Sequence, residues 1–420
     1  MKRKKTPKLL RMLSTAGIVV AITSASGMSR SIASAPRSPS SIHIAVVTSL
    51  TGTYSEIGTA MLEGAKAGAR AINDAGGIMS RKVVLDAVDT VGDPADAVPA
   101  FNKEIAFQHP VGVIGPTTLE IFALQPLIDR NRIPDMFNGG STLFDHNTDK
   151  WIWRINASDS QLGVAMALYA RRRGYSRAAI LFSTEQSAQT LKPLVASTFK
   201  KLGGQIVSDV NITPNQTSYR SEVLKVDASH PQLIFTQMEP TTAAVALANF
   251  KEIDNLKVPF IGTDITAGGD WIKAVTPKIA NKVMTSVQGS SALGGGGAVF
   301  QRYNRLVNHH QALSGTNYAY DGIIVLALAI DAARSTDSTK IIRNMFRVAN
   351  PPGSPVFSYK QALTLLNRHR KFNYEGASGP MDFNRYHNVS GPWDVVKVQP
   401  NGSVKTLITL SAKAVSAASH

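Results

Sequence analysis

Short runs of β-branched and apolar residues punctuate the chain, and the longer stretches between them return their apolar residues at every third or fourth position. One series of runs lies at 42–47, 83–88, 111–114 and 133–137, and a second at 178–182, 205–210, 233–236 and 259–261. Between them, 54–75 has helical spacing: Ile57, Met61, Ala65, Gly68 and Ile72 fall on one face. The alternation predicts an α/β protein with two doubly wound, mainly parallel sheets formed in succession. Residues 151–156 lie between the two series and are expected to form a crossing strand. Gly-rich 289–297 and Pro-rich 351–355 read as surface loops. Residues 393–398 and 404–408, joined by Pro400-Asn401-Gly402, read as a hairpin.

The N-terminus stands apart from this pattern. Lys2, Arg3, Lys4 and Lys5 precede an apolar stretch, 9–21, shorter than the ~20 residues of a membrane-spanning helix. That order is expected of a secretory signal peptide, residues 1–35, cleaved after Ala25 or after Ala35. The alternative is a retained membrane anchor, against which Arg11 interrupts the run and no stop-transfer cluster follows. The chain has no cysteine, which removes disulfides and the acylated cysteine of lipoproteins and favours a free periplasmic protein. Residues 1–35 hold seven Lys or Arg and no acid, so the formal charge of +16 falls to +9 without them. The remaining cations are dispersed, apart from Arg171, Arg172 and Arg173 at the end of an expected helix, and no nucleic-acid partner is predicted.

Signatures of catalysis are missing. The chain has no Gly-x-Ser-x-Gly elbow, no phosphate loop ending in Gly-Lys-Ser/Thr and no His-Glu-x-x-His, so no catalytic residue, metal ligand or cofactor is assigned and an enzyme is not expected. His309 and His310 are adjacent, so on a helix their rings point apart instead of sharing a metal. Asp89 and Asp93-Pro94 are explained by a turn and a helix start.

Seven segments carry a resemblance over 42–410: Ile44-Ala-Val-Val-Thr-Ser-Leu-Thr-Gly52, Glu63-Gly-Ala-Lys-Ala-Gly-Ala-Arg-Ala-Ile-Asn-Asp-Ala-Gly-Gly-Ile78, Asp89-x-x-x-Asp93-Pro, Val113-Ile-Gly-Pro116, Phe260-Ile-Gly-Thr-Asp264, Tyr320-Asp-Gly322 and Tyr374-Glu-Gly-Ala-Ser-Gly-Pro-Met-Asp-Phe383. In this order they resemble the leucine/isoleucine/valine-binding family, the type I periplasmic binding proteins of branched-chain amino-acid importers. The resemblance implies two lobes joined by three hinge crossings, near Asn156, Val287 and Arg385. Lobe 1 then comprises 42–155 with 288–385, lobe 2 comprises 156–287 with 386–411, and 412–420 is a tail. It also implies a monomer that closes on a small ligand, an amino acid or related polar metabolite. The closed form would dock on the membrane permease of an ABC importer, whose ATPase supplies the energy. The alternative is a sensor of the same fold that recognises an amide, a urea-like compound or an aromatic carboxylate.

Site residues follow from the same resemblance. The family's cradle for the ligand α-carboxylate falls on Gly139, Gly140 and Ser141, where glycines permit close approach and the hydroxyl donates. A second hydroxyl falls on Thr118, with Leu119 and Glu120 as register alternatives. Without the resemblance these residues read as a turn and a helix cap. Asp264 falls where the family holds the ligand ammonium; the competing reading is the N-cap of a helix starting at 268–272. Ser187 and Glu239 stand where branched-chain receptors carry tyrosines, a departure from branched-chain specificity. Glu239 either serves a ligand rich in positive charge or donors, or marks a helix start.

Overall fold

The computed structural model describes residues 41–290, 293–313 and 315–419; the expected signal peptide lies outside them. Five strands, β1 (Ile42–Thr48), β2 (Val83–Asp89), β3 (Gly112–Ile114), β4 (Asp135–Phe137) and β5 (Ile152–Arg154), form a sheet in the order β2-β1-β3-β4-β5. All its pairings are parallel. The next five, β6 (Arg177–Ser183), β7 (Gln205–Ile212), β8 (Leu233–Gln237), β9 (Phe260–Gly262) and β10 (Met284–Gly289), repeat the arrangement as β7-β6-β8-β9-β10, again parallel. Short strands β11 (Ser354–Val356) and β12 (Phe372–Tyr374) pair with each other. The expected hairpin, β13 (Trp393–Val398) and β14 (Val404–Leu410), adds antiparallel to the β10 edge of the second sheet.

Helices on both faces of each sheet explain why central strands such as β1 and β6 are largely apolar and buried. Ile44 and Val46 point to one face and Ala45 and Val47 to the other, and all four are fully buried. Helix Thr316–Ala333, apolar around most of its circumference, is sunk into the first core. Helix Ser55–Asp74 packs on it closely: a Cβ at Gly64 would lie 2.0 Å from the Thr316 carbonyl oxygen, and one at Gly68 2.2 Å from Ile323 Cγ2. Gly64 and Gly68 are therefore packing residues. Asp321, fully buried, accepts hydrogen bonds from Tyr374 Oη, Ala377 N, Ser378 N and Ser378 Oγ at 2.6–2.9 Å. Those four bonds join the 320–322 and 374–383 segments into one contact.

Two expectations change. The Gly-rich tract read as a loop instead opens helix Gly294–Asn308. A Cβ at Gly295 would meet the Phe357 ring at 2.8 Å and one at Gly296 the Gly376 carbonyl at 2.3 Å, so close approach explains the composition. Beyond β14, the residues read as a tail form helix Ala412–Ser419, which packs on helix Asp159–Arg172 and buries Val415. Among the described residues no helix is long and apolar enough to cross a membrane.

The chain passes between the sheets after β5, after β10, and between β12 and β13. The first and third passages run side by side. Arg154 N donates to His387 O, Val389 N donates to Arg154 O, and the His387 ring stacks on Trp153 with centroids 4.1 Å apart. Strand order reverses between β1 and β3 and again between β6 and β8. In doubly wound sheets the ligand crevice opens at that reversal, outside the strand C-termini.

A candidate ligand-binding cleft between the lobes

Loops from both reversal points line one cleft of about 230 Å³. The first sheet contributes Ser49, Thr53 and Tyr54 after β1, Thr117 to Leu119 after β3, and Asn138 to Gly140 after β4. The second contributes Ser187, Gln237, Asp264 and Ile265 after β6, β8 and β9, and Gln288 at the end of β10. Tyr54, Trp271, Tyr318 and Trp393 supply aromatic surface.

The first-sheet side is a set of donors. The backbone N–H groups of Thr118, Gly139 and Gly140 donate to nothing among the described residues. Glu120 holds this region in shape. Fully buried, it accepts from Thr117 N at 3.0 Å, Thr117 Oγ1 at 2.6 Å, Thr90 Oγ1 at 2.6 Å and Ser49 Oγ at 3.0 Å. It is thus scaffold, while Thr118 and Leu119 reach the cleft. A Cβ at Gly139 would lie 2.4 Å from the Phe137 ring and 2.7 Å from Thr118 N. Only a glycine lets these two loops approach so closely.

Ser141 lies beneath the cradle instead of lining it. Its amide donates to Thr118 Oγ1 at 3.3 Å and its hydroxyl accepts from Leu143 N at 3.4 Å, capping the short turn Thr142–Phe144. Because Thr118 Oγ1 accepts that bond, its own proton remains available to the cleft.

Asp264 opens the turn Asp264–Ala267 and is exposed in the cleft. Desolvation by the surrounding protein raises its pKa, and the neighbouring Ile265 and Asp264 amides pull the other way. Helix Gly269–Val275 is served by a different carboxylate: Glu56, from helix Ser55–Asp74 on the opposite lobe, accepts from Gly269 N at 2.7 Å and Asp270 N at 3.0 Å. Glu56→Ala removes this clasp between the lobes. The expected loss is about 1–2 kcal/mol of stability, with a larger radius of gyration for the ligand-free protein. Denaturation and small-angle scattering measure the two effects, and an unchanged scattering profile would dismiss the clasp.

Ser187 lines the cleft, where its hydroxyl accepts from Gln237 Nε2 at 3.0 Å. Glu239 lies behind the surface, at the start of helix Pro240–Glu252. Its Oε1 accepts from Ser183 Oγ at 2.5 Å and its Oε2 has no partner. Its charge still reaches the cleft: burial first, then Glu185 and Glu239, push the Tyr54 phenol well above its usual pKa.

Glu56, Asp159 and Asp270 line the cleft but escaped the sequence reading, and the one that lies nearest the glycine cradle is Asp159. It begins helix Asp159–Arg172 just after the first passage between the sheets, behind the N-cap Ser158. A Cβ at Gly140 would fall 1.9 Å from Asp159 Oδ1, so the carboxylate lies against the cradle. Burial first, and Asp264 second, push its pKa up to about 7, with Arg154 pulling the other way. The available signal was Ser158-Asp159 immediately following the crossing strand. Among the described residues no cluster of side chains suits a metal ion.

Residues 41–403 match the family model described as periplasmic binding protein. The chain belongs to the periplasmic binding protein family. This family binds solutes, and the two-sheet, cleft-bearing fold is its type I form. Among curated relatives, a Leu/Ile/Val-binding protein BraC3 from Rhizobium johnstonii is 26% identical over 57% of this chain and 69% of its own length. Leu/Ile/Val-binding protein homolog 3 from Brucella melitensis is 23% identical over 46% of this chain and 53% of its own. Among solved structures, the leucine-binding protein LivK of Thermotoga maritima superposes with a TM-score of 0.75 at 18% identity, covering 88% of this chain and 99% of that one. An R. palustris solute-binding protein in complex with benzoate gives 0.70 at 14% identity, covering 88% and 96%. The same periplasmic binding protein fold thus accompanies both an amino-acid receptor and an aromatic-acid receptor.

Proposed function

We propose that this protein is an extracytoplasmic receptor that captures an amino acid or a closely related small metabolite between its lobes. The observation that carries this reading is the pairing of three free N–H groups on one wall, at Thr118, Gly139 and Gly140, with Asp264 on the other. A carboxylate is the natural guest of convergent backbone donors, and an ammonium that of a cleft aspartate. The three passages act as hinges, the ligand enters an open clamp, and closure brings the two walls together. The receptor works as a monomer, exported by its N-terminal signal peptide, and presents the closed form to the permease of an ABC importer. Relatives that carry Leu/Ile/Val-binding names support the amino-acid class. Benzoate and other aromatic carboxylates are the contrasting ligands, because they leave Asp264 without a cation.

A thermal-shift panel of amino acids, amides, urea-like compounds and aromatic acids tests the reading. Saturation at a hundredfold excess over the dissociation constant contributes about 2.7 kcal/mol, a rise of several degrees in melting temperature. At least one amino acid or amide is expected to produce it. A panel in which only aromatic acids respond, or in which nothing responds, would count against it.

A further inference from the structure

We propose that the cleft selects a ligand with net positive charge: Asp264 takes its α-ammonium and Asp159 a second cationic nitrogen. This deepens the receptor reading and rests on it. Four acidic side chains line the cleft, Glu56, Asp159, Asp264 and Asp270, and no Lys, Arg or His does so among the described residues. Glu56 is occupied by the backbone of the opposite lobe. Asp159 accepts no side-chain hydrogen bond among the described residues, and Asp264, which lines the same cleft, disfavours its ionisation.

A third acceptor stands beside the carboxylates. Gln288 lines the cleft with 8% of its surface exposed, and its Oε1 atom has no donor among the described residues. Acceptors outnumber the donors that an ordinary zwitterion brings. Closing the lobes around a neutral amino acid leaves two carboxylates sharing one ammonium, while the ligand carboxylate is already satisfied by backbone N–H groups. An uncompensated charge removed from water is strongly unfavourable. A side-chain ammonium or guanidinium supplies the missing charge, and its additional N–H groups reach Gln288.

Arg154 is the nearest alternative counter-charge to Asp159, but its guanidinium is turned away from the cleft. It donates to the Ser141 carbonyl at 2.9 Å and to Asp145 Oδ1 at 2.6 Å. Asp145, Arg154 and Asp264 are the charged groups acting on Asp159, and two of the three are negative. Asp159 is therefore poised to exchange a proton for a ligand cation.

Calorimetric titrations of lysine, ornithine, arginine, leucine and benzoate against the wild type and Asp159→Asn test the proposal. At least one of the three cationic amino acids is expected to bind the wild type about tenfold or more tightly than leucine. That preference should fall at least tenfold in Asp159→Asn and grow from about pH 6 to about pH 8, as Asp159 loses its proton. Leucine binding as tightly as every cationic probe overturns the inference and leaves the receptor reading standing. A preference unchanged in Asp159→Asn overturns the role of Asp159. Benzoate as the sole binder, or no binding by any amino acid, overturns both readings. The wild-type ratio needs no variant to fold.

Discussion

Arg154→Ala is expected to cost the ligand-free protein about 3–5 kcal/mol, the largest loss anticipated for any single side chain around the cleft. Arg154 ends β5 with 2% of its surface exposed, where the chain first leaves the first sheet. One arm of its guanidinium supports the cradle loop through the Ser141 carbonyl at 2.9 Å, and the other holds Asp145 at 2.6 Å. Asp145 Oδ1 also accepts from Ser158 Oγ at 2.5 Å, and Ser158 caps helix Asp159–Arg172. Truncation therefore strands a carboxylate, slackens the cradle and loosens the helix that begins with Asp159. Denaturant titration measures the loss, and the double variant Arg154→Ala/Asp145→Ala should recover part of it, since no charge is then left alone. A single-variant loss below about 1 kcal/mol would show that water reaches the pair and that it contributes as little as a surface ion pair.

Asp264→Asn is expected to leave the ligand-free fold intact and to weaken an amino-acid ligand by about 2–4 kcal/mol. Asparagine keeps the shape and removes the charge that faces the ammonium. The informative comparison is the ligand's deaminated analogue. It should bind the wild type poorly, and the variant should discriminate against it less, because it never used the carboxylate. Four calorimetric affinities complete the cycle. Equal losses for the amino acid and its analogue would assign Asp264 to the turn that it opens.

The architecture was legible because buried parallel strands leave a strong trace. Ile44 to Val47 are apolar at every position, since helices cover both faces of β1. The three- and four-residue spacing of 54–75 returned as helix Ser55–Asp74 for a different reason, burial of one face only. Glycine was read less well. Gly295 and Gly296 look like loop residues by composition, but their value lies in contacts with Phe357 and Gly376, which no local pattern reveals. Thr118, Gly139, Gly140, Ser187 and Asp264, which line the cleft, were reached through the family resemblance and not through any local pattern. Ser141 was assigned from its neighbours, yet the backbone turns it under the cradle to cap Leu143. Asp159 was not singled out, because its place in the cleft with Asp264 comes from the tertiary fold.

The clasp of Glu56 on Gly269 and Asp270 bears on how long a ligand stays. Opening the lobes must break it, whatever the ligand, so its free energy adds to the barrier for release. About 1.4 kcal/mol there lengthens the residence time roughly tenfold without any change in what the cleft recognises. On the receptor reading, retention and choice of ligand are then set by different residues. A membrane partner that draws Gly269–Val275 away from Glu56 could unload the cleft without touching the ligand.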